Sequence, residues 1–235
     1  MLGSVFASTA AAATKCTCGH SPVVMISGFG ATVLAEKQED GSLKRVFPPD
    51  TKEILKLLGV NAPDLITGII KLIAQKGTDG IEKPMREIIT SIVEPLRMND
   101  DGTSFYDIVP ILSSAKDTSL EAFTKNGQLD LVPYTGSEFL DMEVIGDEIG
   151  DDHVFNFLYD WRLSHADVAA QLHDYLAEVC VLTGHDKVSV YSISQGCLLL
   201  GVYMYEYPND NYIDRAVFDT PLLAGSNLVS DLYTD

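Results

Sequence analysis

Ser194 stands two residues after Ser192 and two before Gly196, within the stretch VSVYSISQG that runs from Val188 to Gly196. A serine between a buried strand and a buried helix, with small residues two before and two after it, has the pattern of a nucleophile elbow. The sharp turn brings backbone close on both sides of the serine, which is why bulk is excluded there. Gly196 meets that requirement. Ser192 occupies the position where Gly-x-Ser-x-Gly has its first glycine, so the pattern is weakened at one place. The chemistry such a serine performs is acyl transfer: its hydroxyl attacks an ester carbonyl, two backbone N–H groups hold the negative oxygen, and the alcohol departs. The acyl group then passes to water or to another alcohol. Gln195, the residue after the nucleophile, supplies one N–H, and a loop after an earlier strand supplies the other. The turn Ser27, Gly28, Phe29, Gly30 is placed for that second donor, with Phe29 as the donating residue. Without these roles the two segments are a plain strand-to-helix turn and a tight bend.

A serine hydroxyl is a weak nucleophile unless a base takes its proton. The chain order of such a triad is serine, acid, histidine, yet no histidine follows Ser194. His20, His153 and His185 each precede a strand. They therefore belong at the opposite end of a sheet whose site lies at the carboxyl ends of its strands, roughly 15–20 Å away at about 3.3 Å per residue. His173 falls mid-helix and is expected to be solvated. His165 alone follows a strand at the correct end and is the one stand-in base. Asp219 ends a strand, where a triad acid can sit, and reads as a turn residue beside Pro221. Two interpretations stay open: the front part of a longer enzyme whose later strands carry the acid and histidine, or a fold that has lost its triad and only binds.

The elements that must position these residues follow from hydrophobic patterning. Val23 to Ile26 is a continuous apolar run, as a parallel strand covered on both faces requires. Val154 to Leu158 reads as a second buried strand, Val188 to Ile193 as a third strand and Ile213 to Phe218 as a fourth. Between the second and third of these runs, Ser164 can cap a helix with Asp167 as its reciprocal partner. Val168, Leu172, Tyr175, Leu176 and Val179 form its apolar stripe, and Gly184 stops it. Gln195 to Tyr207 is apolar nearly all round, which predicts a buried helix ended by Pro208. Strand, helix, strand, helix, strand with short links predicts an α/β fold with a mostly parallel sheet, right-handed crossovers and helices on both faces. From about Asp50 to Lys116 the pattern is helical instead, in segments around Ile54 to Leu58, Leu65 to Ile73 (opened by Pro63 and Asp64), Met85 to Ile92 and Tyr106 to Leu112. A polar turn, Asn99 to Gly102, interrupts it. This block, about residues 48–150, predicts a helical cap inserted into one domain spanning 15–235.

Composition sets limits on function. Sixteen basic against 34 acidic residues give a net charge of −18, and such a surface repels phosphate backbones, so no nucleic-acid partner is expected. The 46% hydrophobic content excludes intrinsic disorder, and no apolar run reaches the roughly 18 residues that cross a bilayer. Four cysteines are too few for a disulfide scaffold, and none shows the Cys-x-x-Cys spacing of a zinc site. Cys16 and Cys18 could pair with another cysteine or stay free, and Cys180 and Cys197 read as small buried hydrophobes. None is given a catalytic role, and no metal or cofactor is expected. Met1 to Thr14 is uncharged and apolar and runs into Ala10 to Ala13, like the end of a secretory signal whose opening is missing. Export is the expected fate.

Three stretches carry a family resemblance: SPVVMISGFGATVL from Ser21, FNFLYDWRLS from Phe155, and TGHDKVSVYSISQGCLLLGVYMYEYP from Thr183. They resemble lecithin:cholesterol acyltransferase and its bacterial lipase-like relatives, within the α/β-hydrolases. The run Tyr159, Asp160, Trp161, Arg162 ahead of a helix and the elbow is the most specific part. The resemblance covers about Ser21–Gly30 and Val154–Ser226, and the helical block between is compatible in position only. It implies a secreted or lysosomal serine enzyme that uses no metal and hydrolyses a lipid ester or transfers its acyl chain. It implies Ser194 as nucleophile and Phe29 and Gln195 as oxyanion donors, with no assigned role for Trp161. It also implies an acid on a later strand, which leaves the last strands of the fold, with their Asp and His, missing here.

Overall fold

The computed structural model describes residues 15–50, 52–60, 79–133 and 142–225. The first apolar run forms β1 (Val23–Ile26), and the chain then leaves the main sheet to make β2 (Leu34–Lys37) and β3 (Leu43–Phe47). Residues 52–60 are helical, and α1 (Asp79–Val93) follows. β4 (Ile108–Pro110) returns to pair antiparallel with β2, giving a small sheet in the order β3-β2-β4. The helical expectation for Tyr106–Leu112 is thus corrected. Three paired residues are too few for periodicity to separate strand from helix, and Pro110 is tolerated because β4 is an edge. The helices expected near Ile54 to Leu58 and Met85 to Ile92 are present, whereas the one expected near Leu65 to Ile73 lies outside the described residues.

After α2 (Leu120–Asn126) and α3 (Met142–Ile149) the α/β rhythm resumes with β5 (Val154–Phe157), α4 (His165–Thr183), β6 (Val188–Ile193), α5 (Gln195–Glu206) and β7 (Ile213–Asp219). The four runs with strand character form one parallel sheet in the order β5-β1-β6-β7. β1 is central, with Val23 opposite Val154 on one side and Ser189 on the other.

Helices cover both faces, and the alternation along β1 shows which residues face which layer. Val24 and Ile26 join a cluster with Leu172, Leu176, Leu199 and Leu200 of α4 and α5. Val23 and Met25 join the opposite cluster, with Leu120 and Phe123 of α2 and Met142 of α3. The segment leading into α2 is stitched to β5 and to α4: the Asn156 N–H donates to Thr118 O at 2.9 Å, and the Tyr175 hydroxyl of α4 meets Thr118 Oγ1 at 2.7 Å. Part of the stretch expected to stand off as a cap therefore forms a layer of the main fold. Among the described residues, no helix is long and apolar enough to cross a membrane.

Local expectations fared unevenly. Gly184 closes α4 in the left-handed region at φ 67°, and the predicted apolar stripe of that helix is buried. Ser164 occupies the N-cap position, but its hydroxyl makes no capping bond. α5 is buried along Gly196, Cys197, Leu199, Leu200 and Tyr203 only, and Met204 and Tyr205 face solvent. His173 is not simply solvated: its Nδ1 lies 2.7 Å from Asp210 Oδ2 and its ring stacks on Tyr207 at 4.6 Å.

Candidate active site at the turn between β6 and α5

Strand order decides where a ligand can enter. From β1 the chain moves to β5 on one side, and from β6 it moves to β7 on the other, so the loops after β1 and β6 diverge. A crevice opens at such a switch point, outside the carboxyl ends of the strands. Both sequence-selected segments lie there: Ser27 to Gly30 follows β1, and Ser194 to Gly196 follows β6.

Ser194 adopts φ 53° and ψ −117°, a region that L side chains rarely enter, and it is one of two described non-glycine residues with positive φ. Such strain persists only where the surroundings fix it. Here the Ser194 N–H donates to Asp219 O at 3.0 Å, and Ser194 O accepts from Cys197 N–H at 3.1 Å, tying the turn to the end of β7 and to the first turn of α5. The side chain is half-buried and its hydroxyl has no hydrogen-bond partner among the described residues. Ser194→Gly is therefore expected to stabilise the fold by about 1 kcal/mol, read as a higher Tm. A lower Tm would mean that the turn is unstrained.

Gly196 explains how α5 reaches the sheet. A Cβ at this position would lie 2.4 Å from Ile26 O and 2.8 Å from Ser27 O, so the helix start rests against the backbone at the end of β1. Ser192 explains why glycine is dispensable two residues before Ser194. Its side chain is fully buried and its hydroxyl donates to Val217 O at 2.8 Å, so the extra atoms join β6 to β7.

The Gln195 and Phe29 N–H groups have no acceptor among the described residues, and the close approach at Gly196 brings their two segments together. The Gln195 side chain donates from Nε2 to Trp161 O at 2.8 Å, linking the elbow to the loop after β5. Phe29 is 70% exposed, yet its ring packs edge-on against Trp161 at 4.4 Å, and Phe47 meets Trp161 at 5.2 Å. Beneath them Asp160 and Arg162 form a fork: Nε to Oδ1 at 2.9 Å and Nη2 to Oδ2 at 2.6 Å, with side chains 3% and 5% exposed. The Tyr159 hydroxyl donates to Ser27 O at 2.8 Å. The Tyr-Asp-Trp-Arg run thus ties the loops after β1 and β5 together.

Buried polar side-chain atoms without partners are rare in folded proteins, so their location is informative. Among the described residues they are Ser27 Oγ, Trp161 Nε1, Arg162 Nη1, His165 Nε2 and Gln195 Oε1. All five belong to segments that follow β1, β5 or β6, on the same end of the sheet as Ser194. Burial pushes the His165 imidazole below its usual pKa, which keeps it neutral at pH 7. Asp219 ends β7 with its carboxylate accepting from the Tyr191 hydroxyl at 2.6 Å, and that bond, with some burial, pushes Tyr191 up to about 12. No histidine is hydrogen-bonded to Ser194 or to Asp219 in the described residues.

One cluster escaped the sequence reading. Cys16, Cys18, His153 and His185 bring their ligand atoms within 4.8 Å of one another at the opposite end of the sheet. The available signal was the position of both histidines just ahead of neighbouring strands, with a cysteine pair just ahead of the strand that pairs with both. Comparison of the chain with protein-family models, with curated proteins and with solved structures finds no match.

Proposed function

We propose that this chain has an α/β-hydrolase-type fold and carries the nucleophile half of a serine acyl-transfer site acting on lipid esters, by hydrolysis or by transfer to an alcohol. Ser194 is the nucleophile, and the Gln195 and Phe29 N–H groups hold the oxyanion. The strained backbone of Ser194 at the switch point, pressed against the end of β1 through Gly196, carries this reading. Strain of this kind is kept where it aims a reactive side chain. Two free N–H groups on adjoining segments supply the electrostatic part of catalysis, because they need no reorganisation when charge develops. The exposed Phe29 ring beside Trp161 and Phe47 offers an apolar edge suited to an acyl chain. The uncharged start from Met1 to Thr14, outside the described residues, supports export.

One observation favours a second reading, a binding module that does not turn over. His173 is engaged by Asp210, and His153 and His185 stand with the cysteines, so only His20 and His165 lack such ties. A small diffusible base separates the two readings, since it can take the proton that no side chain takes. Incubation with a p-nitrophenyl ester and added imidazole is expected to leave an acyl group on Ser194, located by peptide mass mapping. Ser194→Ala should show none. Without imidazole, turnover is expected to stay at the Ser194→Ala level. Absence of the adduct at any imidazole concentration would leave the binding module as the function.

A further inference from the structure

Independently of the serine chemistry, we infer that Cys16, Cys18, His153 and His185 form a structural zinc site that fastens the segment ahead of β1 to the amino-terminal end of the sheet. Four ligands of the correct chemistry converge from three separate stretches of chain, and their spacing fits one small ion. With Zn–S about 2.3 Å and Zn–N about 2.0–2.1 Å in a tetrahedron, each sulfur should lie about 3.6 Å from each nitrogen. Cys18 Sγ lies 3.5 Å from His185 Nε2 and 3.8 Å from His153 Nε2, and Cys16 Sγ lies 3.8 Å from His153 Nε2. All four ligand atoms fall within 4.8 Å of one another.

The surroundings orient the ligands. Asp152 Oδ1 lies 2.8 Å from His153 Nδ1, which places the proton on Nδ1 and turns the Nε2 lone pair toward the sulfurs. A carboxylate behind a metal-bound histidine commonly plays this part. The two imidazoles stand nearly perpendicular, with centroids 5.3 Å apart, so each aims Nε2 inward without stacking. The cysteine segment is held in place by bonds that need no metal. The Cys16 N–H donates to Gly184 O at 2.9 Å, and Lys15 Nζ meets Asp186 Oδ2 at 3.0 Å.

Two thiolates and two neutral imidazoles leave a Zn²⁺ site with no net charge and no open position, which marks it as structural rather than catalytic. Binding forms two Zn–S and two Zn–N bonds and releases two thiol protons to solvent. The missing Cys-x-x-Cys spacing is no obstacle, because the second pair of ligands comes from the fold and not from a nearby motif.

The test uses the 235-residue chain free of any affinity tag. Metal analysis after purification should find about one zinc per chain, and none in the double variant Cys16→Ser, Cys18→Ser. Cobalt added to the metal-free chain should give the thiolate charge-transfer band and the visible bands of a tetrahedral centre. Asp152→Asn, which keeps all four ligands, should lower zinc affinity about 10–100-fold. If the double variant does not fold, the cobalt spectrum and Asp152→Asn still decide the matter. A chain without zinc whose mass reveals a Cys16–Cys18 disulfide would overturn the inference, as would an octahedral cobalt spectrum or an affinity indifferent to Asp152.

Discussion

Gly196→Ala is expected to cost about 3 kcal/mol or more and to remove all labelling of Ser194. The added methyl would meet Ile26 O at 2.4 Å, Ser27 O at 2.8 Å and Ile26 C at 3.0 Å. Two of these are backbone atoms of the central strand, paired on both sides, and the third belongs to the turn after it and accepts the Tyr159 hydroxyl, so none can swing away as a flexible side chain would. Relief requires α5 to lift, which also moves the Gln195 N–H. At about 2–4 °C per kcal/mol for a chain of this size, the melting temperature should fall by roughly 10 °C. Gly201→Ala, five residues along the same helix, is the control. Its Cβ would meet only Leu223 Cδ2 at an ordinary 3.6 Å, and alanine favours a helix interior over glycine by about 0.5–1 kcal/mol. Equal melting temperatures for the two variants would show that the elbow is not wedged against β1.

Arg162→Met should be nearly as damaging, at about 3–5 kcal/mol, because it strands the Asp160 carboxylate where water cannot reach it. Both side chains are almost wholly buried, and the Arg162 fork is Asp160's main source of hydrogen bonds. Removing both charges, in Asp160→Asn with Arg162→Met, should recover part of the loss, since an unpaired buried charge costs more than an absent pair. A double variant no more stable than Arg162→Met would mean that Asp160 finds water or another partner. The pair also sets the loop whose Trp161 O receives the Gln195 amide, so the single variant should slow imidazole-assisted acylation even well below its melting temperature.

The parallel sheet was legible because β1 and β5 are covered on both faces and read as mostly apolar runs, and because β6 and β7 follow at the spacing of a strand-helix-strand rhythm. Val23–Ile26 and Val188–Ile193 needed no partner information to be recognised. The end of the sheet at which His153 and His185 stand was legible too, since a residue just ahead of a strand can lie only at its amino-terminal end. The small antiparallel sheet was not. Its strands include Glu36, Lys37, Lys44 and Arg45, and such short polar strands are chosen by tertiary pairing rather than by their own pattern. His173 was misjudged because its partner Asp210 sits beyond the next strand and helix, a distance along the chain at which no local rule applies. The Cys–His cluster was missed for the same reason: each ligand looks ordinary alone, and only the order of β5, β1 and β6 makes them neighbours.

That strand order also governs how the protein must be made. β1 is the first of the described strands and is paired on both sides, yet its partners begin only at Val154 and Ser189. At translation rates of about 5–20 residues per second, the sticky Val-Val-Met-Ile segment waits on the order of ten seconds outside the ribosome before either neighbour exists. Nascent chains released in that interval expose this apolar stretch, so yield should depend on elongation speed and on holding factors more steeply than the stability of the finished molecule suggests.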